Sequence, residues 1–378
     1  MVEVLYVICI EKTNLEIKKM SFEKGKMNFS VLVSTSPIGD GFEDAVFEDS
    51  YSESKPSLET PVEDFTAGIS LADAPKEREL FSFGSHFFAS TRKKEYKMPR
   101  SRLKEEIEAV LHDEVKKNGG DPLNSKRRKE IVESVQTALQ GQAQLELSGS
   151  RFVLSHDRKR IIVEASSSSK LDNALVSITS SVPISIATGI MAYTPDFLYE
   201  VATGENVAGY QPLTIAGRYS SEGIGRDFLT WLWARSENDG TIDGLTIALT
   251  GMIQLAGEDD GSGPVNVILK DGAPAIGAEV DTGFNQGKKV SKAEFSIADG
   301  NLVYQATIDD EFHFKGFQGP YTPEKGLSNG DNFDGRMMDC VAFMKIIERT
   351  FKVFCNDPIR QQCVDLWLAS RTSVAVRR

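Results

Sequence analysis

Two stretches with helical apolar spacing, separated by the breaker Gly119-Gly120-Asp121-Pro122, constrain this chain more than any other feature. From about Pro99 to Lys117, Leu103, Ile107, Val110, Leu111 and Val115 recur near i, i+4, i+7, i+8 and i+12, and Pro99 suits a first helical turn. The second stretch starts at Asn124 or Ser125 as N-cap and aligns Ile131, Val132, Val135 and Leu139. Glycine and proline between them stop the first helix, so the segment predicts a helical hairpin.

The surroundings read as sheet. Leu5 to Ile10, Phe29 to Ser34 and the phenylalanine-rich Glu79 to Ser90 have strand character. Arg151 to Leu154 is expected to pair with Arg160 to Glu164 across a turn at His156 to Lys159, ahead of a helix from Lys170 to about Thr179. Val182 to Gly225 is turn-rich, and Gly225 to Ser236 predicts an amphipathic helix in which Trp231 and Trp233 serve core packing. Strands follow at Gly244 to Gln254, Pro264 to Lys270, Lys292 to Ala298 and Leu302 to Asp309. Asp331 to Ser370 predicts two helices split near Pro358. The expected class is α+β, antiparallel sheets with flanking helices, in two or three subdomains bounded at 1–180, 181–330 and 331–378.

From Asp40 to Asp64 there are nine acids and one base, Lys55, a composition that predicts a long surface loop or insertion. At 378 residues the chain can bury a sizeable core, and its 40% hydrophobic and 26% charged content is ordinary for a globular protein. No run approaches the ~18 to 20 apolar residues of a membrane span. The four cysteines form no CxxC pair and suggest buried thiols in a cytoplasmic protein, with no metal and no cofactor.

Against a formal charge of -12, basic residues gather in three clusters around the hairpin. Arg92, Lys93, Lys94, Lys97, Arg100, Arg102 and Lys104 face one acid, Glu95; Lys126, Arg127, Arg128 and Lys129 open the second helix; and Arg151, Arg158, Lys159 and Arg160 surround the β-turn. Charge runs usually just solvate a face, but clusters on neighbouring elements suit a polyanion. Sequence-independent grip on duplex DNA needs several phosphate contacts, for which Lys93, Lys94, Arg100, Arg102, Arg127, Arg128, Arg158, Lys159 and Arg160 are the candidates. Neither helix carries a clear base-reading array.

Catalytic signatures are weak. A GxxxxGK[ST] loop is absent, and Gly223-Ile224-Gly225 reads as the start of a helix. Asp196 with Glu200, Glu258 to Asp260, Glu279 with Asp281, and Asp309 to Glu311 are acids of the type a metal-dependent nuclease uses, though each reads more simply as a loop or strand-end residue. The four histidines have no HxxxH or serine-elbow partner, and His156 sits in the basic turn.

The order of features from Arg92 to Ser177 resembles the RdgC recombination-associated protein family. The similarity is carried by Lys93, Lys94, Glu95, Pro99, Leu103 and Ile107; by Lys126 to Glu130; by Phe152 to Leu154 and Ile161 to Glu164; and by Ala165, Ser166, Leu171 and Leu175. Gly225 to Trp233 resembles a helix of longer bacterial members. The resemblance implies a ring-shaped homodimer, nucleoid-associated, that binds double-stranded DNA without sequence preference and restrains RecA-type strand exchange without catalysing a reaction. The alternatives are a metal-dependent nuclease acting in recombination and an interaction module for an acidic protein. The apolar surface of Phe343, Met344, Ile347, Phe351, Phe354, Val364, Leu366, Trp367 and Leu368 is expected to supply a subunit contact.

Overall fold

The computed structural model describes residues 22, 25–39, 41–57, 60–97, 100–139, 143–219, 223–257, 266–270, 278–324 and 326–375. The expected strand Leu5 to Ile10 and the acids Glu258 to Asp260 lie outside them.

The chain is α+β, built on one large antiparallel sheet. In chain order its strands begin with β1 (Met27–Ser34), β2 (Val62–Ala67), β3 (Ser82–Phe83), β4 (His86–Lys97), β5 (Gln144–Ser148), β6 (Arg151–Leu154), β7 (Arg160–Val163) and β8 (Ile190–Ala192). A separate two-stranded unit, β9 (Thr214–Ile215) and β10 (Arg218–Tyr219), precedes β11 (Thr241–Ile242), β12 (Leu245–Ala256), β13 (Asn266–Leu269), β14 (Lys289–Asp299), β15 (Leu302–Asp309) and β16 (Phe314–Gln318). The main path runs β11-β12-β14-β15-β16-β1-β7-β6-β4-β2. The first described strand therefore joins the two halves: Met27 and Phe29 of β1 pair with β16, while Ser30 to Val33 pair with β7.

Short apolar runs such as Phe152-Val153-Leu154 and Ile161-Ile162-Val163 form these central strands because both sheet faces are covered. Alternation sends Val31, Phe88, Val153 and Ile162 into one core, and Leu32, Ala89, Phe152, Ile161 and Val163 into another on the opposite face.

The helices are α1 (Gly41–Glu48), α2 (Arg100–Lys117), α3 (Ser125–Leu139), α4 (Ser168–Ser181), α5 (Ile184–Ala187), α6 (Pro195–Thr203), α7 (Ile224–Asn238), α8 (Ala278–Asn285), α9 (Asn329–Asn356) and α10 (Arg360–Ala375). Helix α7 is buried almost all round, unlike the amphipathic helix expected there, because it lies between β12 and β14 on one side and α9 and α10 on the other. Trp231 and Trp233 are both in the core. None of the described helices is long and apolar enough to cross a membrane.

Two expectations need correction. The acidic segment after Asp40 is not one long loop: α1 buries Phe42 and Val46 in the second core, and Asp64 is an interior residue of β2. The apolar C-terminal residues are consumed within the chain, where Phe343, Met344, Ile347, Phe351, Phe354, Val364 and Trp367 are buried in the first core. Of that set Leu366 stays well exposed and Leu368 is half-buried.

Candidate nucleic-acid interface

Helices α2 and α3 form the expected hairpin. Gly119 and Gly120 adopt the left-handed conformations (φ 73° and 92°) that let the chain reverse. Asn124 caps α3 by accepting from the Arg127 amide at 2.8 Å. The hairpin's apolar contacts close on themselves: Ile131, Val135 and Leu139 meet Leu103, Ile107, Val110, Leu111 and Leu123 in a third cluster, every member of which lies on the hairpin. It is carried on a ribbon in which β5 pairs with the far end of β4, Lys93 to Lys97.

Over residues 100–139 the charges nearly balance, nine cations against eight acids, so their placement decides the electrostatics. Closing the hairpin brings the end of α2 beside the start of α3, and residues 116–129 hold six cations against Asp121 alone. All six, Lys116, Lys117, Lys126, Arg127, Arg128 and Lys129, are exposed. Four of them crowd the α3 N-terminus, where the helix dipole is already positive and no acid occupies the first turn. That arrangement opposes helix stability and suits an anionic ligand.

Some of these cations are shared with acids. Arg127 reaches Glu114 at 3.0 Å and Glu130 at 3.2 Å, Lys117 reaches Glu114 at 3.2 Å and Lys129 reaches Glu133 at 4.0 Å. Being exposed, such pairs are weak and readily exchanged for phosphate. Lys116, Lys126, Arg128 and the exposed Arg102 at the base make no ion pair among the described residues. Arg100 opens α2, and its side chain lies outside the described residues.

The other candidates are spread over the sheet body and mostly engaged. Arg92 is buried, holding Asp64 through Nε at 2.7 Å and Asp73 at 2.7 Å. Lys94 is buried beside it, 3.5 Å from Asp64 and 3.4 Å from Asp73, and donates to the Ser52 carbonyl. Lys93 pairs with Glu95 at 3.1 Å, and Lys97 pairs with the same carboxylate at 2.5 Å. Arg158 binds Glu43 at 2.8 Å and the carbonyls of Ile38 and Gly39. Arg160, with a side chain 12% exposed, is clasped by Asp157 and by Glu348 at 2.9 Å. Of the turn residues, Lys159 stands exposed without an ion pair among the described residues.

His156 of that turn shares a 2.9 Å hydrogen bond with Ser85 Oγ, and its ring lies 4.3 Å from that of His86. His86 is buried and hydrogen-bonded to Asp334 at 2.8 Å; burial outweighs this carboxylate and pushes its pKa below the usual imidazole value.

The candidate nuclease acids separate into two places. Asp196, Asp310, Glu311 and His313 line one cleft of about 390 Å³, into whose wall Gly225 fits so closely that a Cβ would stand 1.9 Å from the Asp310 carbonyl oxygen. Arg226 holds Asp310 at 2.7 Å, and His313 holds Asp309 at 3.0 Å. Asp281 is instead tied to Arg371 at 2.9 Å. Among the described residues no three His, Cys, Asp or Glu side chains are gathered to hold a metal ion.

Lys116 and Lys117 were not among the sequence candidates. The signal that finds them is the hairpin turn itself, which places them opposite Lys126 to Lys129. Fold and site together define an α+β protein carrying a self-contained helical hairpin with a cationic end. Compared with known proteins, the sequence matches no protein-family model and no curated protein.

Proposed function

We propose that this chain binds double-stranded DNA without sequence preference, gripping phosphates with the end of the α2–α3 hairpin. The observation that carries the reading is the gathering of six exposed cations at the hairpin end, three of them, Lys116, Lys126 and Arg128, without ion pairs among the described residues, in a chain whose formal charge is -12. Lysine and arginine there supply point charges to the backbone, releasing counterions, with no rigid array to read base edges. By occupying duplex without cutting it, the protein would restrain RecA-type strand exchange, as the RdgC resemblance implies.

Fluorescence anisotropy on two unrelated duplexes across a salt series tests this. With five or six phosphates neutralised, log K falls against log salt with a slope of about -5, ~0.9 per contact. Lys126→Glu with Arg128→Glu is expected to weaken both duplexes equally and flatten the slope. Binding that ignores salt, or a double variant that binds as the parent does, removes the reading.

Asp196, Asp310 and Glu311 line one cleft without being gathered into a metal-holding group, and the alternative they bear on is a metal-dependent nuclease. Nicking of supercoiled DNA in Mg²⁺ or Mn²⁺ that vanishes in Asp310→Ala selects it over the first.

A further inference from the structure

We propose that the cleft between the β6–β7 turn, α6 and α9 binds one nucleotide unit, a phosphate carrying a flat base. The choice of a nucleotide among amphipathic anions rests on the DNA-binding reading above; the site itself rests on its own geometry. The cleft measures about 310 Å³, at the small end of the ~300–1,000 Å³ range of ligand pockets. Its apolar wall includes Phe197, Phe351 and Val201, and Val201 is 66% exposed although it sits in a concavity. An aromatic ring in such a wall offers a stacking surface to any base.

Charge in the cleft is unbalanced. Lys159, Arg160 and Lys352 line it together with Glu348, the one acid among the lining residues, and both Glu348 oxygens are taken by Arg160 at 2.9 and 3.1 Å. Lys159 and Lys352 are exposed and have no ion pair among the described residues, leaving two cations beside an apolar wall. A phosphate on the two lysines with its base against Phe197 uses both the unpaired charge and the apolar wall.

Calorimetric titration with dTMP, and anisotropy with a single-stranded oligonucleotide bearing either a 5′-phosphate or a 5′-hydroxyl, test the proposal and distinguish a free nucleotide from a strand end. The expected result is saturable dTMP binding with Kd of ~1 mM or tighter. Val201→Glu and Lys352→Glu should each weaken it at least about tenfold, the size of a lost charge-assisted contact, while Val176→Glu, the same change on exposed α4, does not. Preference for the 5′-phosphate oligonucleotide assigns the site to strand ends; equal binding of both assigns it to internal or free nucleotides. Lys352→Ala, which adds no charge, repeats the measurement should either glutamate variant lose its circular dichroism. No saturable binding by ~10 mM dTMP, or binding unchanged in Val201→Glu and both Lys352 variants, overturns the site. Duplex affinity of the hairpin variant is read separately, so failure of one reading is distinguished from failure of the other.

Discussion

The hairpin end and the sheet body began with similar densities of lysine and arginine and reached opposite states. At the hairpin end Glu114, Glu130 and Glu133 take Lys117, Arg127 and Lys129 only in exposed pairs, and Lys116, Lys126 and Arg128 face solvent without ion pairs among the described residues. In the body, acids distant in sequence neutralise the basic run: Asp64 and Asp73 take Arg92 and Lys94, Glu43 takes Arg158 and Glu348 takes Arg160. Two of these four acids, Asp64 and Glu43, come from the acidic Asp40 to Asp64 segment, which thereby switches off part of the cationic surface. A basic run becomes a ligand surface only where tertiary structure withholds its counter-charges.

Substitutions can break that contrast directly. The largest effect is expected from Arg92→Met, which removes the nearer of the two cations on the interior Asp64 carboxylate; breaking such a pair costs about 3–5 kcal/mol, read from urea denaturation. The matching change Arg128→Met should cost less than about 0.5 kcal/mol while weakening DNA binding. Equal costs would erase the distinction between the two regions.

Next in size, Ile131→Ala removes a central residue of the hairpin's small core and should destabilise the hairpin by about 2–3 kcal/mol. Because the three tryptophans, Trp231, Trp233 and Trp367, are all buried in the body, their fluorescence should hold while amide exchange in α2 and α3 accelerates. A shifted tryptophan transition would mean that hairpin and body unfold as one. Asn124→Ala, removing the α3 cap, should cost about 1 kcal/mol and show in the same exchange measurement.

The body should also respond to pH through His86. With its folded pKa held below the usual 6.5 by burial, the unfolded chain takes up the proton first as pH falls. Stability from this group is fully present above about pH 6.5 and lost as pH drops through the window below it, so the urea midpoint should fall between about pH 7.5 and about pH 5.5, less so in His86→Gln. An identical decline in the variant would assign the titration elsewhere. The smallest effect is a gain: Glu114→Gln releases Arg127 and Lys117 and should raise duplex affinity a few-fold at low salt, with little change in stability.

Sequence alone determined what neighbours decide. Helical periodicity and the Gly-Gly-Asp-Pro breaker placed the hairpin to within a residue or two, its cap was narrowed to Asn124 or Ser125, and the apolar runs about the β6–β7 turn appeared as paired strands. These features were legible because each depends on residues within a few positions of one another. Helix α1 was hidden because its acids outnumber Phe42 and Val46, the pair that holds it to the core. Tertiary structure decided which cations remain available: Arg92 meets Asp64 across 28 residues of chain, and Arg160 meets Glu348 across 188. The C-terminal apolar residues, which suggested a subunit contact, likewise found their partners on distant strands. Coulomb attraction and burial act through space and carry no sequence period, so only the folded chain shows which charges cancel and which are left for a ligand.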